Sequence, residues 1–285
     1  SDPTMTNQLR LGLACSLFAV ACLTTAAPAA DDALTLVVMD PLAAPLSCPC
    51  VMGYAQRDYD KLAEHLAAKL GRPVNVAYSD SLVAALKDKT EGKADIIIGK
   101  HSVVLFDAKK AGREVKHIAM LTSKEGDVTQ TGLIVVPAKD PAKSVADLQG
   151  YQIIFGPQES DEKHSAALAL LKKHGIPAPK KIETRSACDE GATLILEAGA
   201  DHRGAAVISS YAKPLLEGCG TVKKGDLRVI GETAPVPFVA AFVSESLDSE
   251  LQTSIQKELL GVFSEPLLCV ALESKYGFVQ PAKKK

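Results

Sequence analysis

Hydrophobic positions along this chain alternate between short continuous runs and stripes spaced three or four residues apart, which is the pattern of strands and helices in turn. The run Leu34 to Asp40, LTLVVMD, is short, apolar and β-branched, and predicts a strand. In YDKLAEHLAAKLG, residues Tyr59, Leu62, Leu66 and Leu70 share one helical stripe that stops at Gly71. The alternation continues with strand VNVAYSDS, helix LVAALKDKTEGK, buried strand ADIIIGKHS and helix VVLFDAKKAG. Next, QTGLIVVPAKD predicts a strand, and SVADLQGYQIIFGPQESDEKHSAALALLKKHGI reads as helix, strand, loop and helix. KKIETRSACDEGATLILEAG and RGAAVISSYA repeat the unit, and RVIGETAPVPFVAAFVSESL leads to a last strand and C-terminal helices. Strands alternating with helices predict an α/β fold whose sheets are mostly parallel and covered by helices on both faces.

The first thirty residues follow a different rule. Ser1 to Thr4 precede Met5 as an expression scar; Arg10, the apolar run Leu11 to Leu23 and the small-residue segment TTAAPAA follow. Ala27-Pro28-Ala29 fits a small-x-small cleavage pattern, so residues 1–29 read as scar plus signal peptide, the apolar run being shorter than the roughly 20 residues a membrane span needs. A lipoprotein acylated at Cys22 is the less favoured reading. Export in a bacterium places the protein in the periplasm.

Length and charge narrow the function further. The 285 residues exceed the usual single-domain length of about 100–150, which favours two domains. A net charge of −2 and a pI near 6.3 provide no broad basic field, which argues against nucleic acid. With no tryptophan and 5% aromatics, base- or sugar-stacking surfaces are not expected either. Small molecules or ions are the expected ligands.

The order of elements resembles one family, the periplasmic substrate-binding proteins of phosphate, phosphite and phosphonate ABC transporters. The resemblance runs through YDKLAEHLAAKLGRPV, SLVAALKDKTEGKADIIIG, SVADLQGYQIIFGPQESDEKHSAALALLKKHGI, GAAVISSYA and IGETAPVPFVAAFVSESL, nearly the whole chain after the leader. It implies a two-lobed periplasmic binding protein fold with two crossing strands, a ligand cleft between the lobes and closure by hinge motion. The lobe boundaries drawn from it are 30–127 with 234–285 for lobe 1, and 128–233 for lobe 2. It also implies a monomer that hands its ligand to an ABC permease or a sensor and meets the membrane only through that partner.

Topology alone points to the same cleft. In open α/β sheets ligands sit outside the carboxyl ends of strands, where helix N-termini offer N–H groups to anions. The loops at those ends give Ser79, Ser81, Lys100, His101, Ser102, Ser160, His164, Ser209 and Ser210 as ligand-binding candidates. Lys100 is the expected counter-charge to an oxyanion and Ser102 a hydrogen-bond donor. Where the family carries a Ser/Thr-rich phosphonate turn, this chain reads PQESDEKHS, with Glu159, Asp161 and Glu162; these carboxylates repel a phosphonate unless they face solvent in a first helical turn. The family's histidine falls at or near Cys188, and its ammonium-binding acid is replaced by Ile208.

The stretch LSCPCVM leaves alternatives open. Cys48, Cys50, Met52, His101, His164 and Cys188 are soft donors suited to Cu(I) or Zn(II), and Cys48, Cys50, His101 and Cys188 would complete a four-coordinate metal site. Exported thiols usually pair, so a Cys48–Cys50 or Cys188–Cys219 disulfide is the competing account; Cys48, Cys50, Cys188, Cys219 and Cys269 cannot all pair within one chain. A Cys48 nucleophile with His101 as base would make an exported enzyme. However, neither Gly-x-Ser-x-Gly nor His-Glu-x-x-His occurs. The sequence therefore reads first as a non-enzymatic periplasmic solute-binding protein for a small phosphate- or phosphonate-like oxyanion, without a cofactor. A soft-metal binder, with copper or zinc as the bound ligand, is the alternative.

Overall fold

The computed structural model describes residues 32–47, 55–187, 189–199 and 202–282. The expected signal peptide therefore lies outside the described residues.

The first lobe opens with β1 (Leu34–Met39), whose six residues are all buried, as befits a central strand covered on both faces. Helix α1 (Tyr59–Leu70) starts where the Asp58 side chain accepts from the Lys61 amide and ends at Gly71, whose φ of 68° suits a residue without Cβ. Its stripe is the one predicted: Tyr59, Leu62 and Leu66 are buried. Then follow β2 (Val74–Tyr78), α2 (Leu82–Asp88), β3 (Ile96–Lys100), α3 (His101–Lys110) and β4 (Val115–Leu121). The chain leaves the lobe through β5 (Thr129–Gln130).

The second lobe comprises β6 (Gly132–Pro137), β7 (Gln152–Phe155), α4 (Ser165–Lys173), β8 (Glu183–Thr184), α5 (Glu190–Glu197), β9 (Gly204–Ser209), α6 (Ala212–Gly218) and β10 (Leu227–Glu232). The helix expected over SVADL is only a 3-10 turn, Val145–Leu148, closed by reciprocal bonds between Ser144 and Asp147. The chain returns through β11 (Val236–Pro237), which pairs antiparallel with β5, and completes the first lobe with β12 (Val239–Ser244), α7 (Ser249–Gly261), α8 (Pro266–Ala271) and β13 (Phe278–Val279).

Two sheets result, ordered β13-β4-β12-β3-β1-β2 and β10-β6-β9-β7-β8. The α/β class is as predicted, but strand directions are mixed. In the first sheet β1 runs parallel to β2 and β3, whereas β12 re-enters from the other lobe and pairs antiparallel with both β3 and β4. In the second, β6 is antiparallel to β9 and β10. Alternate residues of β1 feed two separate cores: Leu36 and Val38 pack with Leu62, Leu66 and Ile255, while Val37 and Met39 pack with Leu82, Val104 and Phe242. Both faces of the sheet are thereby fixed, and the carboxyl ends of β1 and β3 are held rigid where the site begins.

Candidate functional site

A cleft of about 980 Å³ lies at those strand ends. The first lobe contributes Pro41, Leu42, Leu46, Ser79, Ser81 and Lys100, and the second contributes Ser160, Lys163, Ser186, Tyr211 and Leu215. One wall is an apolar shelf from the loop after β1. That loop is anchored by Asp40, which is fully buried and accepts from Arg57 Nη1 at 2.8 Å, Tyr59 Oη at 2.5 Å and the Leu42 amide at 2.9 Å. Burial, and next the charge of Asp40, push the Tyr59 hydroxyl well above its ordinary pKa, so it stays a neutral donor. The Arg57 guanidinium also lies over the Phe238 ring, 5.5 Å from its centroid, and Phe238 stacks at 5.1 Å on Tyr211 of the other lobe.

Lys100, which lines the cleft, leads into a buried ionic cluster. Lys100 at the end of β3 pairs with Glu162 of the β7–α4 loop, and both side chains are buried. Glu162 Oε1 also accepts from Ser209 Oγ, at the end of β9, at 2.6 Å. Burial alone would raise the Glu162 pKa, but the Lys100 charge, hydrogen bonds from Lys100 and Ser209, and the nearby Lys163 charge outweigh it and hold the carboxyl below its ordinary value. Its second oxygen, Oε2, is buried with no hydrogen-bond donor. Ser102 adds two further links between the lobes: its Oγ donates to the Glu159 carbonyl at 2.7 Å and accepts from the Asp161 amide at 3.3 Å.

The profile of the family described as "ABC transporter, phosphonate, periplasmic substrate-binding protein" matches residues 54–276. The chain belongs to this family. Solved structures agree with the fold of such substrate-binding proteins. A Xanthomonas citri protein bound to ATP superposes with a TM-score of 0.65 at 16% identity, over 88% of this chain and 92% of that one. A binding-protein component of an ABC phosphonate transporter from Pseudomonas aeruginosa gives 0.63 at 12% identity, over 87% and 81%. A Prochlorococcus marinus protein in complex with methylphosphonate gives 0.65 at 12%, over 88% and 93%. None of the curated proteins matches this chain.

Within this substrate-binding protein the expected site residues separate into groups. Ser79, Ser81, Lys100 and Ser160 line the cleft. Ser79 Oγ already donates to the Ser81 carbonyl at 2.8 Å, and Ser81 Oγ to Asp107 Oδ2 at 2.9 Å, so both shape the turn into α2. Ser102 and Ser209 tie loops together beneath the cleft. His101 packs against His117 and Phe242, ring centroids 5.1 and 5.6 Å away. His164 Nδ1 meets the Gly156 carbonyl at 2.9 Å, and Ser210 Oγ accepts from the Thr131 amide at 3.2 Å beside β5.

The metal reading falls largely on Cys48, Cys50 and Cys188, which lie outside the described residues. Among the described residues no three His, Cys, Asp or Glu side chains converge as a metal site.

Lys163 was not singled out by the sequence. Its stem packs on Gly156, where a Cβ would sit 2.4 Å from Lys163 Cβ, and its Nζ donates to the Ser186 carbonyl at 3.3 Å on the cleft wall. The signal that could have found it is local: a lysine in a loop at a strand's carboxyl end.

Proposed function

We propose that this chain is the substrate-binding component of an ABC importer, and that its ligand is an organic oxyanion of the phosphonate class. The cleft carries the reading: Lys100, Lys163 and Ser160 line the same space as the apolar Pro41, Leu42, Leu46 and Leu215. A charged head suits the first set through charge-assisted hydrogen bonds, and an organic substituent suits the second through apolar burial. The names of similar proteins support the same class, one being a phosphonate-transporter component and another a methylphosphonate complex. The ligand is captured and released unchanged, and a membrane permease on the periplasmic face receives it.

A calorimetric panel of inorganic phosphate, phosphite, alkylphosphonates, aminoalkylphosphonates and alkylsulfonates tests this directly. Alkylphosphonates are expected to bind, and Lys163→Gln is expected to weaken them by about 1.5–3 kcal/mol, the contribution of a hydrogen bond to a charged group. Absence of binding by every phosphonate in the panel overturns the reading.

A further inference from the structure

We propose that Glu162 is a built-in competitor for the ligand's anionic head, its carboxylate occupying in the ligand-free protein the donors that an incoming oxyanion takes over. The inference rests on the oxyanion reading of the cleft and adds to it a residue that sets the affinity a ligand must exceed. Lys100 and Ser209 end β3 and β9, one strand from each lobe, at the carboxyl ends where ligands of such sheets are held. An anionic oxygen that accepts from an ammonium of one lobe and a hydroxyl of the other is what a bound phosphonate would present there. Glu162 Oε1 makes that arrangement already.

Two observations say that the carboxylate holds this place imperfectly and can leave it. Oε2 is buried without a donor, and a half-satisfied buried carboxylate is unfavourable. The backbone beneath it is fixed independently. A Cβ on Gly132 would stand 1.9 Å from the Glu162 carbonyl oxygen, and the turn is closed by Ser160 N to Pro157 O at 2.9 Å and Lys163 N to Ser160 O at 3.0 Å. Displacement therefore moves the side chain and leaves the loop in place.

Competition of this kind sets a threshold of affinity. A ligand must replace the Glu162 contacts before it gains anything, so a bare oxyanion exchanges one anion for another with little net benefit. A ligand with an apolar substituent gains the additional burial against Leu42, Leu46 and Leu215 and wins the exchange. Glu162 thus lowers the affinity for every oxyanion by the same factor, so that only a ligand with the added apolar burial binds tightly enough to fill the cleft.

The test compares inorganic phosphate with butylphosphonate by calorimetry on wild type, Glu162→Gln and Glu162→Gln/Lys100→Gln. Wild type is expected to prefer butylphosphonate. Glu162→Gln is expected to bind both probes about tenfold or more tightly than wild type, with the preference for butylphosphonate unchanged, and the added Lys100→Gln is expected to remove that gain. Unchanged or weaker phosphate binding by folded Glu162→Gln, or a gain that survives loss of Lys100, overturns the inference. A crystal structure of wild type with butylphosphonate reads the same point without any variant. Glu162 displaced from Lys100 supports the proposal, and the ion pair intact beside the bound ligand overturns it while leaving the functional reading standing. No binding of either probe to any of these proteins overturns both.

Discussion

Glu162 and Asp40 show how single buried charges set the chemistry and stability of this cleft. The pKa of Glu162 is held below its ordinary value in the folded chain, so the stability it contributes is fully present above the unfolded carboxyl pKa of about 4.3 and is lost as pH falls through the folded value. Acid unfolding of wild type should therefore steepen below about pH 4, and Glu162→Gln should flatten that limb, as followed by circular dichroism; superimposable acid limbs would show that the pair carries no such linkage. Asp40 is the stronger case for stability alone, because its loss leaves Arg57 buried without a counter-charge. Asp40→Ala is expected to cost about 3–5 kcal/mol in urea unfolding, and a loss below about 1 kcal/mol would mean that Arg57 finds another partner or water. Neither role is written locally in the sequence. Glu162 sits in a polar stretch that reads as solvated, and its partner Lys100 is 62 positions away. Lys100 itself was legible as a cleft residue because a strand ends on it, but not as one already engaged.

The elements that periodicity specifies are those whose burial is set by their own sequence. The stripe of α1 and the continuous apolar runs of β1 and β3 are of this kind, and each appears where expected. Strand direction is not of this kind: VAAFV in β12 is buried on both faces, as a parallel strand would be, yet it pairs antiparallel with β3 and β4. Only the return of the chain from the second lobe decides that. Close approach between elements is equally silent in hydropathy. Gly132, at the start of β6, reads as a weak strand residue, but it is where the β7–α4 loop rests on the strand that leaves the crossing pair. Gly132→Ala must push the Glu162 carbonyl away, and overpacking of this type costs about 1–3 kcal/mol. A lowered melting temperature together with weaker butylphosphonate binding is expected; full affinity in the variant would show that the loop can shift without disturbing the cleft.

At the scale of the whole molecule, the two lobes are joined by a pair of two-residue strands, β5 and β11, and so little structure cannot by itself fix their relative angle. Contacts across the cleft hold the lobes at their observed angle: Lys100 with Glu162, Ser102 with Glu159 and Asp161, and the Phe238–Tyr211 stack. Their individual contributions are small beside the solvation that each charged or polar group regains on opening. The closed arrangement should therefore respond to removal of one or two of them. A compact chain of 285 residues has a radius of gyration of about 19 Å. Ligand-free wild type should scatter near that value, and Ser102→Ala/Tyr211→Ala should scatter larger, returning toward wild type when butylphosphonate is added. Equal radii for the two ligand-free proteins would mean that the angle is set at the crossing strands themselves, in which case substitutions at Gln130 and Val236, and not at the cleft, would be the ones to change it.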